Sequence, residues 1–338
     1  TEIYTLSLHD ALPICRVATS GIPVGGTGHR WHFAPDGGAT FAVPGGGWAY
    51  VSNAELPNGG VGAIRFAPDG GIVDAYSILE GTRINCAGGP TPWGHWLSCE
   101  EFELGQVWEC NPQAPGQGVV RPGLGRFAHE AAAVDPATGV VYLTEDHPEG
   151  RLYRFRPRRL GDLSDGVLEA ADVARTGRVR WRRVSPLRPA RDEGTTPFAR
   201  GEGAWIDAGT LYFCTTADHR VWALDTAHQR LAVVYDAELA GPDAPLRRPD
   251  NITVHAPSGD VFVAEDGDDN QLVLLADAAG QRLAAPFMQL VGHDGSEVAG
   301  PAFSPDGTRL VVSSQRGTGG RNLSPGMTFE VRGPFRRR

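Results

Sequence analysis

Six segments of the chain repeat one format, in which a turn glycine precedes a short apolar strand, an acidic or polar cluster and a second strand. Short apolar runs bounded by Gly, Pro, Asp and Asn predict β-strands joined by turns. From Gly94 onward the turn glycines lie 45 to 70 residues apart, a period typical of propeller blades with insertions. The six copies cover residues 46–66, 94–110, 139–157, 209–225, 259–277 and 307–333.

The repeat predicts an all-β chain folded as a six-bladed β-propeller, because radial repetition of small sheets hides their edges. In each copy the first strand ends at one face, so the acidic residues that follow it are expected to converge there. A β-sandwich with coincidental strand spacing is the alternative. Helical periodicity is scarce, and only residues 160–175 and 236–246 are candidates for a turn or two of helix. We expect the last strand, near Phe329, to close the ring against residues near Trp31 or Trp48.

The start of the chain stands apart from this pattern. Residues 1–14 match the in-frame translation of a common sequencing adapter. We therefore expect residues 1–14 to be an artefact outside the fold, and residues 15–338 to form a single propeller domain. The natural N-terminus, with any export signal, is then expected to be missing. No run of the sequence approaches the ~20 apolar residues that span a bilayer, so no transmembrane segment is expected.

Composition and missing motifs narrow the classes of function. Of the 338 residues, 41% are hydrophobic, which is enough for a large core. The formal net charge of −9 argues against nucleic acid as a partner, because phosphate backbones bind cationic surfaces. The chain contains no Gly-x-Ser-x-Gly elbow, His-Glu-x-x-His helix or P-loop. Serine hydrolases, zinc proteases and nucleotide switches therefore lack their usual signs.

A thiol and two carboxyl groups lie within 16 residues of one another, from just before the second copy into its first strand. Cys86 is followed by a Gly- and Pro-rich stretch, interpreted as a loop, and then by Cys99, Glu100 and Glu101. A cysteine thiolate is a soft ligand, so its presence beside carboxylates indicates a transition metal rather than calcium alone. The competing interpretation is that Cys86 is a small buried hydrophobic residue and that Cys99 forms a structural disulfide with Cys110.

Four further clusters combine charge with turn residues. In Arg200-Gly201-Glu202 a guanidinium stands beside a carboxylate, a pair suited to holding a phosphate and a cation, although a surface ion pair has the same pattern. Oxygen-rich residues around Asp250 and at 265–269 suit a hard cation such as Ca²⁺, with a hydrated acidic turn as the alternative. The remaining candidates are His129, Glu130 and Glu297.

Taken together, these motifs resemble the PhoX-type alkaline phosphatase family. The similarity rests on the segments NCAGGPTPWGHWLSCEE, GRFAHE, ARGEG, RPDN and ExxGPAFSPDGTRLVVSSQ, and it runs from about residue 45 to 330. The resemblance implies a propeller enzyme that hydrolyses small phosphomonoesters with iron, as Fe³⁺, and Ca²⁺ at the propeller axis. It also implies a periplasmic or secreted protein, and we expect a monomer.

The resemblance further implies roles for individual residues. Cys86 becomes a ligand of iron. Arg200 becomes the catalytic cation that binds the phosphate. The implied carboxylate ligands of iron or calcium are Glu101, Glu130, Glu202, Asp250 and Glu297, with Glu100, Asp266 and His129 as secondary candidates.

These ligand types predict a metal-dependent phosphatase. Clustered metal cations would offset the repulsion among the carboxylates, and a metal-bound oxide or hydroxide would attack phosphorus while Arg200 steadies the equatorial oxygens. Two other functions are compatible with axial carboxylates on a propeller. One is a Ca²⁺-dependent, lactonase-like hydrolase, and the other is a non-catalytic binding propeller whose cations only staple the blades. A lactonase has no use for Cys86 or Arg200, and these two residues favour the phosphatase.

Overall fold

Six small antiparallel sheets form the part of the chain that the computed structural model describes, residues 13–191, 194–267, 269–278, 281–321 and 323–336. Each sheet is one blade. The innermost strands of successive blades contact one another in a closed ring, from the first blade through the sixth and back to the first. The predicted six-bladed β-propeller is therefore confirmed.

The strands follow one another outward from the axis in each blade. The N-terminal strand β1 (Ile14–Thr19) comes before the first blade in sequence and belongs to the sixth. Blade 1 contains β2 (Pro35–Ala42), β3 (Trp48–Ala54), β4 (Gly59–Phe66) and β5 (Ile72–Thr82). Blade 2 contains β6 (Asn85–Pro90), β7 (Trp96–Glu100), β8 (Val107–Cys110) and β9 (Val119–Val120). Blade 3 contains β10 (His129–Val134), β11 (Val141–Glu145), β12 (Gly150–Pro157), β13 (Gly166–Val173) and β14 (Val179–Arg183), with β15 (Pro197–Phe198) paired to β12.

The remaining three blades have four strands each. Blade 4 contains β16 (Gly201–Asp207), β17 (Thr210–Thr215), β18 (Arg220–Asp225) and β19 (Arg230–Asp236). Blade 5 contains β20 (Pro249–His255), β21 (Asp260–Glu265), β22 (Gln271–Ala278) and β23 (Gln281–Gln289). Blade 6 contains β24 (Val298–Phe303), β25 (Arg309–Ser314) and β26 (Met327–Arg332), followed outward by β1.

Helix is confined to short segments in the described residues. They are the α-helix α1 (Ala237–Ala240) and two 3-10 helices, Pro122–Leu124 and Gly317–Gly319. None of these is long and apolar enough to span a membrane. The helix α1 lies within one candidate segment, 236–246, but the turn expected in 160–175 is wrong because β13 occupies that stretch.

The hydrophobic core consists of layers between neighbouring blades. Each adjacent pair of blades encloses one cluster of buried apolar side chains. Between blades 6 and 1, for example, Trp31, Tyr50 and Ile64 pack with Val311. The middle strands are therefore covered on both faces and read as apolar runs. This is why the six predicted strand pairs coincide with the second and third strands of the blades, whereas the innermost strands were not predicted.

The ring closes between the two ends of the chain. Strand β1 pairs antiparallel with β26, so that Ile14 stands opposite Val331 and Thr19 opposite Met327. The expected contact with the region of Trp31 and Trp48 is made through side chains, whereas the strand that pairs with β26 is β1. Trp31 packs in the apolar layer between blades 6 and 1, and its Nε1 donates a hydrogen bond to Thr328 Oγ1 of β26 at 3.1 Å.

The N-terminal boundary of the propeller lies before residue 15, where the domain was expected to begin. Ile14, which was grouped with the artefact, begins β1, and the backbone N–H of Arg332 donates to the carbonyl of Pro13 at 2.9 Å. The rest of the adapter-like stretch, residues 1–12, lies outside the described residues.

Deletion of residues 1–19 should destabilise the propeller, because it removes β1 and leaves the outer edge of β26 unpaired. We expect a loss of about 3 kcal/mol in the free energy of unfolding, since several ladder hydrogen bonds of ~0.5–1.5 kcal/mol each are lost with the buried Ala18. Urea unfolding measures the change. Deletion of residues 1–12 is the control and should leave the midpoint where it is. Equal midpoints for the two deletions would contradict closure by β1.

Candidate metal centre

The innermost strand of every blade carries a β-bulge at the same place. In each bulge two residues of the inner strand stand opposite one residue of the next strand, as Cys86 and Ala87 of β6 stand opposite Cys99 of β7. Such a bulge turns a side chain away from its regular direction in the sheet. The first residues of the six bulges are Asp36, Cys86, Glu130, Glu202, Asp250 and Gly300.

Five of these residues form what we call the axial ring: Asp36, Cys86, Glu130, Glu202 and Asp250. All five are buried. Four of them were predicted as ligands, and Asp36 was missed. The sixth place is closed to side chains, because Gly300 has a φ of +58° and a Cβ there would lie 2.5 Å from the carbonyl oxygen of Asp36.

Small residues next to the axial ring allow the inner strands to approach one another closely. A Cβ on Gly37 would lie 2.4 Å from the Cα of Ala87, and a Cβ on Gly203 would lie 2.7 Å from the carbonyl oxygen of Asp250. The Gly-rich stretch after Cys86, which was expected to be a loop, is the inner strand β6 for the same reason. The glycines therefore serve the packing around the axis.

A second ring of carboxyl groups follows the second strand of the blades. We call Glu55, Glu101, Asp146 and Asp266 the rim ring, since each immediately follows the second strand of its blade. Thr216 takes this position in blade 4. The convergence of acidic residues on one face, predicted from the repeat, is thereby explained by the register of the blades.

In blades 2 and 5 the residue just before the rim carboxylate is a glutamate, and it has a different role. Glu100 accepts hydrogen bonds from the backbone N–H groups of Arg83 at 3.0 Å and Gln106 at 3.2 Å. Glu265 does the same with Arg247 and Gln271. These carboxylates tie the strands of one blade together. Glu100, a secondary candidate, is therefore a structural residue, because its neighbour Glu101 is the one that faces the axis.

The predicted residue His129 also lies away from the centre. It is buried beside Phe127, with the ring centroids 3.7 Å apart, and its Nε2 is 3.1 Å from the carbonyl oxygen of Gly125. Burial lowers the pKa of His129 to about 3, so the ring stays neutral. The bulge aims Glu130, and not its neighbour, at the axis.

The described residues contain three sets of candidate ligand atoms, and within each set the atoms lie no more than 4.8 Å from one another. Cys86 and Glu130 each belong to two of them, and the thiol of Cys86 lies 3.3 Å from Oε1 of Glu130. Glu297 belongs to none of the three sets and is paired with Arg316 at 2.9 Å instead. The sets are Asp36, Glu55 and Cys86; Cys86, Glu101 and Glu130; and Glu130, Glu202 and Asp250.

The cysteines do not form the alternative disulfide. All five are free, and Cys99 lies in the apolar layer between blades 2 and 3 while Cys110 lies in the layer between blades 1 and 2. They therefore face opposite sides of blade 2. Cys86 is buried, as the competing interpretation required, but it is buried among carboxylates and not among apolar side chains.

The protein groups alone leave the negative charge of the centre uncompensated. Burial, and then repulsion from neighbouring carboxylates, raises the pKa of Asp250 to about 7. The same two causes raise the pKa of the Cys86 thiol. Oε2 of Glu130 is buried without a hydrogen-bond partner in the described residues. The pKa values of Asp36, Glu101, Glu130, Glu202 and Glu297 are likewise raised well above their ordinary range by burial and nearby charge.

These features fit bound cations. Buried polar atoms are normally partnered, so the orphaned oxygen of Glu130 indicates a missing partner of positive charge. A thiol set among carboxylates is a donor set for a transition metal, and the all-oxygen set around Asp250 suits a hard cation. The chemistry of the donors is therefore compatible with the metals that the resemblance implies.

Arginines line the rim of the centre. Arg200 donates from Nε and Nη2 to the two carboxylate oxygens of Asp146, at 2.7 Å each, and its Nη2 lies 3.1 Å from Oε1 of Glu202. Its backbone is left-handed, with a φ of +55°. In blade 6, Arg316 donates from Nη1 alone to Oε2 of Glu297, at 2.9 Å. The Arg-x-Glu pair of the sequence is thus part of the centre and not a surface ion pair.

Four residues of the centre were missed: Asp36, Glu55, Asp146 and Arg316. Gln315 joins the first two, because its Nε2 donates to Asp36 at 2.5 Å and to Glu55 at 2.6 Å. The sequence repeat contains a signal for two of them. Glu55 and Asp146 follow the second strands of their blades, as Glu101 does in blade 2.

Comparison with known proteins decides the family. The sequence profile described as Alkaline phosphatase PhoX matches residues 53–107, 102–235 and 233–317. The chain belongs to the PhoX alkaline phosphatase family. The resemblance is thereby confirmed, and with it the prediction of an alkaline phosphatase-like enzyme. No curated protein matches the chain in sequence.

Solved structures share the PhoX-type propeller. PhoX of Pseudomonas fluorescens, determined in complex with vanadate, a transition state analogue, is 16% identical with a TM-score of 0.75, and the match covers 95% of each chain. A gluconolactonase of Xanthomonas campestris is 14% identical with a TM-score of 0.52, over 89% of this chain and 86% of that one. A luciferin-regenerating enzyme is 12% identical with a TM-score of 0.57, over 97% of each. At these identities the likeness shows the fold alone.

Removal of cations with a chelator should make stability depend on pH. The buried carboxyl groups then bind protons more tightly in the folded than in the unfolded chain, where their pKa is about 4. The folded state therefore holds extra protons above pH 4, and the free energy of unfolding falls as the pH rises toward and past the value of about 7 for Asp250. We expect the melting temperature of the chelated protein to fall between pH 5 and pH 8. A rise over this range would contradict the electrostatic description of the centre.

Proposed function

We propose that the chain hydrolyses phosphomonoesters at a centre of iron and calcium on the propeller axis. The observation that carries the proposal is the place of Cys86, whose thiol belongs to two of the three ligand sets. A thiolate between two carboxylate groups suits iron, and the oxygen set of Glu130, Glu202 and Asp250 suits Ca²⁺. Asp36, Glu55 and Glu101 complete the sets that include the thiol.

The cations, when bound, would supply positive charge to the phosphoryl oxygens and lower the pKa of the attacking water. The protein provides the ionised ligands. Because their pKa values are raised in the cation-free centre, the carboxyl groups and the Cys86 thiol release protons as cations bind. Glu297 lies outside the three sets, and we assign it the role of holding Arg316 at the rim.

Arg200 is proposed to bind the transferred phosphoryl group. Asp146 fixes the guanidinium through Nε and Nη2, while Nη1 makes no hydrogen bond within the described residues and remains available to an oxyanion. A guanidinium held in one plane recognises phosphate by paired hydrogen bonds. Its closeness to Glu202 sets the phosphate site beside the calcium ligands.

A lactonase-like hydrolase shares the architecture, since the gluconolactonase has the same fold. A single central cation would leave the Cys86 sets and the fixed guanidinium of Arg200 without a role, so the phosphatase is preferred. A periplasmic or secreted location and a monomeric state remain predictions.

The proposal is tested by measuring metal content and phosphatase activity on the same samples. We expect iron and calcium in the purified protein, and hydrolysis of a chromogenic phosphomonoester that a chelator abolishes. Cys86→Ser should lower iron content and turnover together, by about tenfold or more, because a ligand is lost. Cys110→Ser, the same change in the same blade away from the axis, is the matched control and should lower neither.

Two outcomes would contradict the proposal. Full iron content and turnover in Cys86→Ser would remove the thiol from the centre. Calcium without iron, and no release of phosphate, would point to the lactonase or to a non-catalytic propeller.

Replacement of Arg200 tests the phosphate site separately. Arg200→Gln should lower kcat/KM by about 10²–10³ without loss of iron or calcium, because a preorganised donor to the developing charge is removed. Inhibition by vanadate should weaken in parallel. Arg220→Gln is the control. Arg220 lies on the third strand of blade 4, away from the inner strand, and it pairs with Asp236 and Asp218. Loss of activity that follows loss of metal would assign Arg200 a structural role instead.

A further inference from the structure

Arg248 repeats the placement of Arg200 one blade further round the axis. Each stands two residues before the axial carboxylate of its blade, and each has a left-handed backbone, with φ of +45° and +55°. Ala34 and Ile84 have the same backbone at the same place in blades 1 and 2. Four blades therefore share the conformation, and among them the guanidinium distinguishes blades 4 and 5.

The charge of one rim carboxylate, Asp266, acts on three guanidinium groups of the centre. Asp266 pairs directly with Arg248, and its charge also acts on Arg200 and Arg316. Among the three arginines, Arg248 has the most exposed side chain, at 39% against 36% for Arg200 and 24% for Arg316. Arg248 is therefore the cation of the rim that solvent reaches most easily.

Arg248 has a single acidic partner within the described residues, and a glycine lies beside its guanidinium. Within the described residues Asp266 is its only ion-pair partner, whereas Arg200 contacts both Asp146 and Glu202. Gly267 lies beside the guanidinium, and a Cβ there would come within 3.2 Å of its Nη1. The glycine keeps this edge of the guanidinium uncovered.

We propose that Arg248 binds a second anionic group, a carboxylate or phosphoryl group, on the alcohol portion of the phosphomonoester. The inference rests on the proposed function, in which Arg200 holds the phosphoryl group that is transferred. Arg248 lies one blade away from Arg200 on the same rim, so it is placed to meet the part of the substrate beyond that phosphoryl group. Charge-assisted hydrogen bonds to a guanidinium distinguish anionic from neutral groups.

Two substrates that differ only in this group test the inference. In 3-phosphoglycerate a carboxylate replaces the hydroxymethyl group of glycerol 3-phosphate. We expect the holoenzyme to hydrolyse both and to favour 3-phosphoglycerate. Arg248→Gln should lower the ratio of kcat/KM for 3-phosphoglycerate to kcat/KM for glycerol 3-phosphate about tenfold, mainly through KM. Arg248→Lys should restore part of the ratio, because it returns the charge without the planar fork.

Metal content and a control variant separate this role from a structural one. Arg248→Gln should retain its iron and calcium, and Arg220→Gln should leave the ratio as it is in the wild-type protein. If Arg248 only positions Asp266, both substrates are affected equally and the ratio stays constant, which overturns the inference. If the holoenzyme hydrolyses neither substrate, the proposed function fails and the inference fails with it. Hydrolysis of both with an unchanged ratio overturns the inference alone.

Discussion

The two-against-one bulge at the start of each inner strand determines where the chemistry of this chain lies. In five of the six blades it turns one side chain out of the apolar layers and toward the axis. The bulges are fixed across blade boundaries. Asn53, opposite the bulge of blade 1, donates to the carbonyls of Cys86 at 3.1 Å and Ala87 at 2.7 Å, and Thr144 of blade 3 donates to the carbonyl of Glu202 at 2.6 Å. The position of a ligand is thus set by the blade before it.

The charge of the chain is concentrated at this axis. In the part of the chain that the structure describes, nine carboxyl groups of the centre face three guanidinium groups, and this excess of negative charge accounts for most of the formal net charge of −9. Buried charge without compensation is costly, and bound cations are the direct remedy. The net negative charge that argued against a nucleic-acid partner therefore comes mainly from one site. The carboxyl groups are those of Asp36, Glu55, Glu101, Glu130, Asp146, Glu202, Asp250, Asp266 and Glu297.

The sequence reveals those parts of the fold that are covered by apolar layers. The second and third strands of the blades could be predicted because both of their faces are buried. The inner strands could not, since closeness to the axis demands glycine and the bulge interrupts alternation; Asp36 stands in Pro-Asp-Gly-Gly, which has the composition of a turn. Similarly, Glu100 and Glu101 have the same chemistry, and only the register of the blade decides which one faces the axis.

Closure of the ring by strands from opposite ends of the chain has a consequence for timing. Because β1 pairs with β26, the sixth blade is complete only after β26 has been synthesised, long after β1. Contacts between residues so distant in sequence form slowly. A nascent chain on the ribosome therefore carries its ligand residues on separate blades before they are brought into one ring. The complete axial ring is therefore assembled late, when the sixth blade closes against the first.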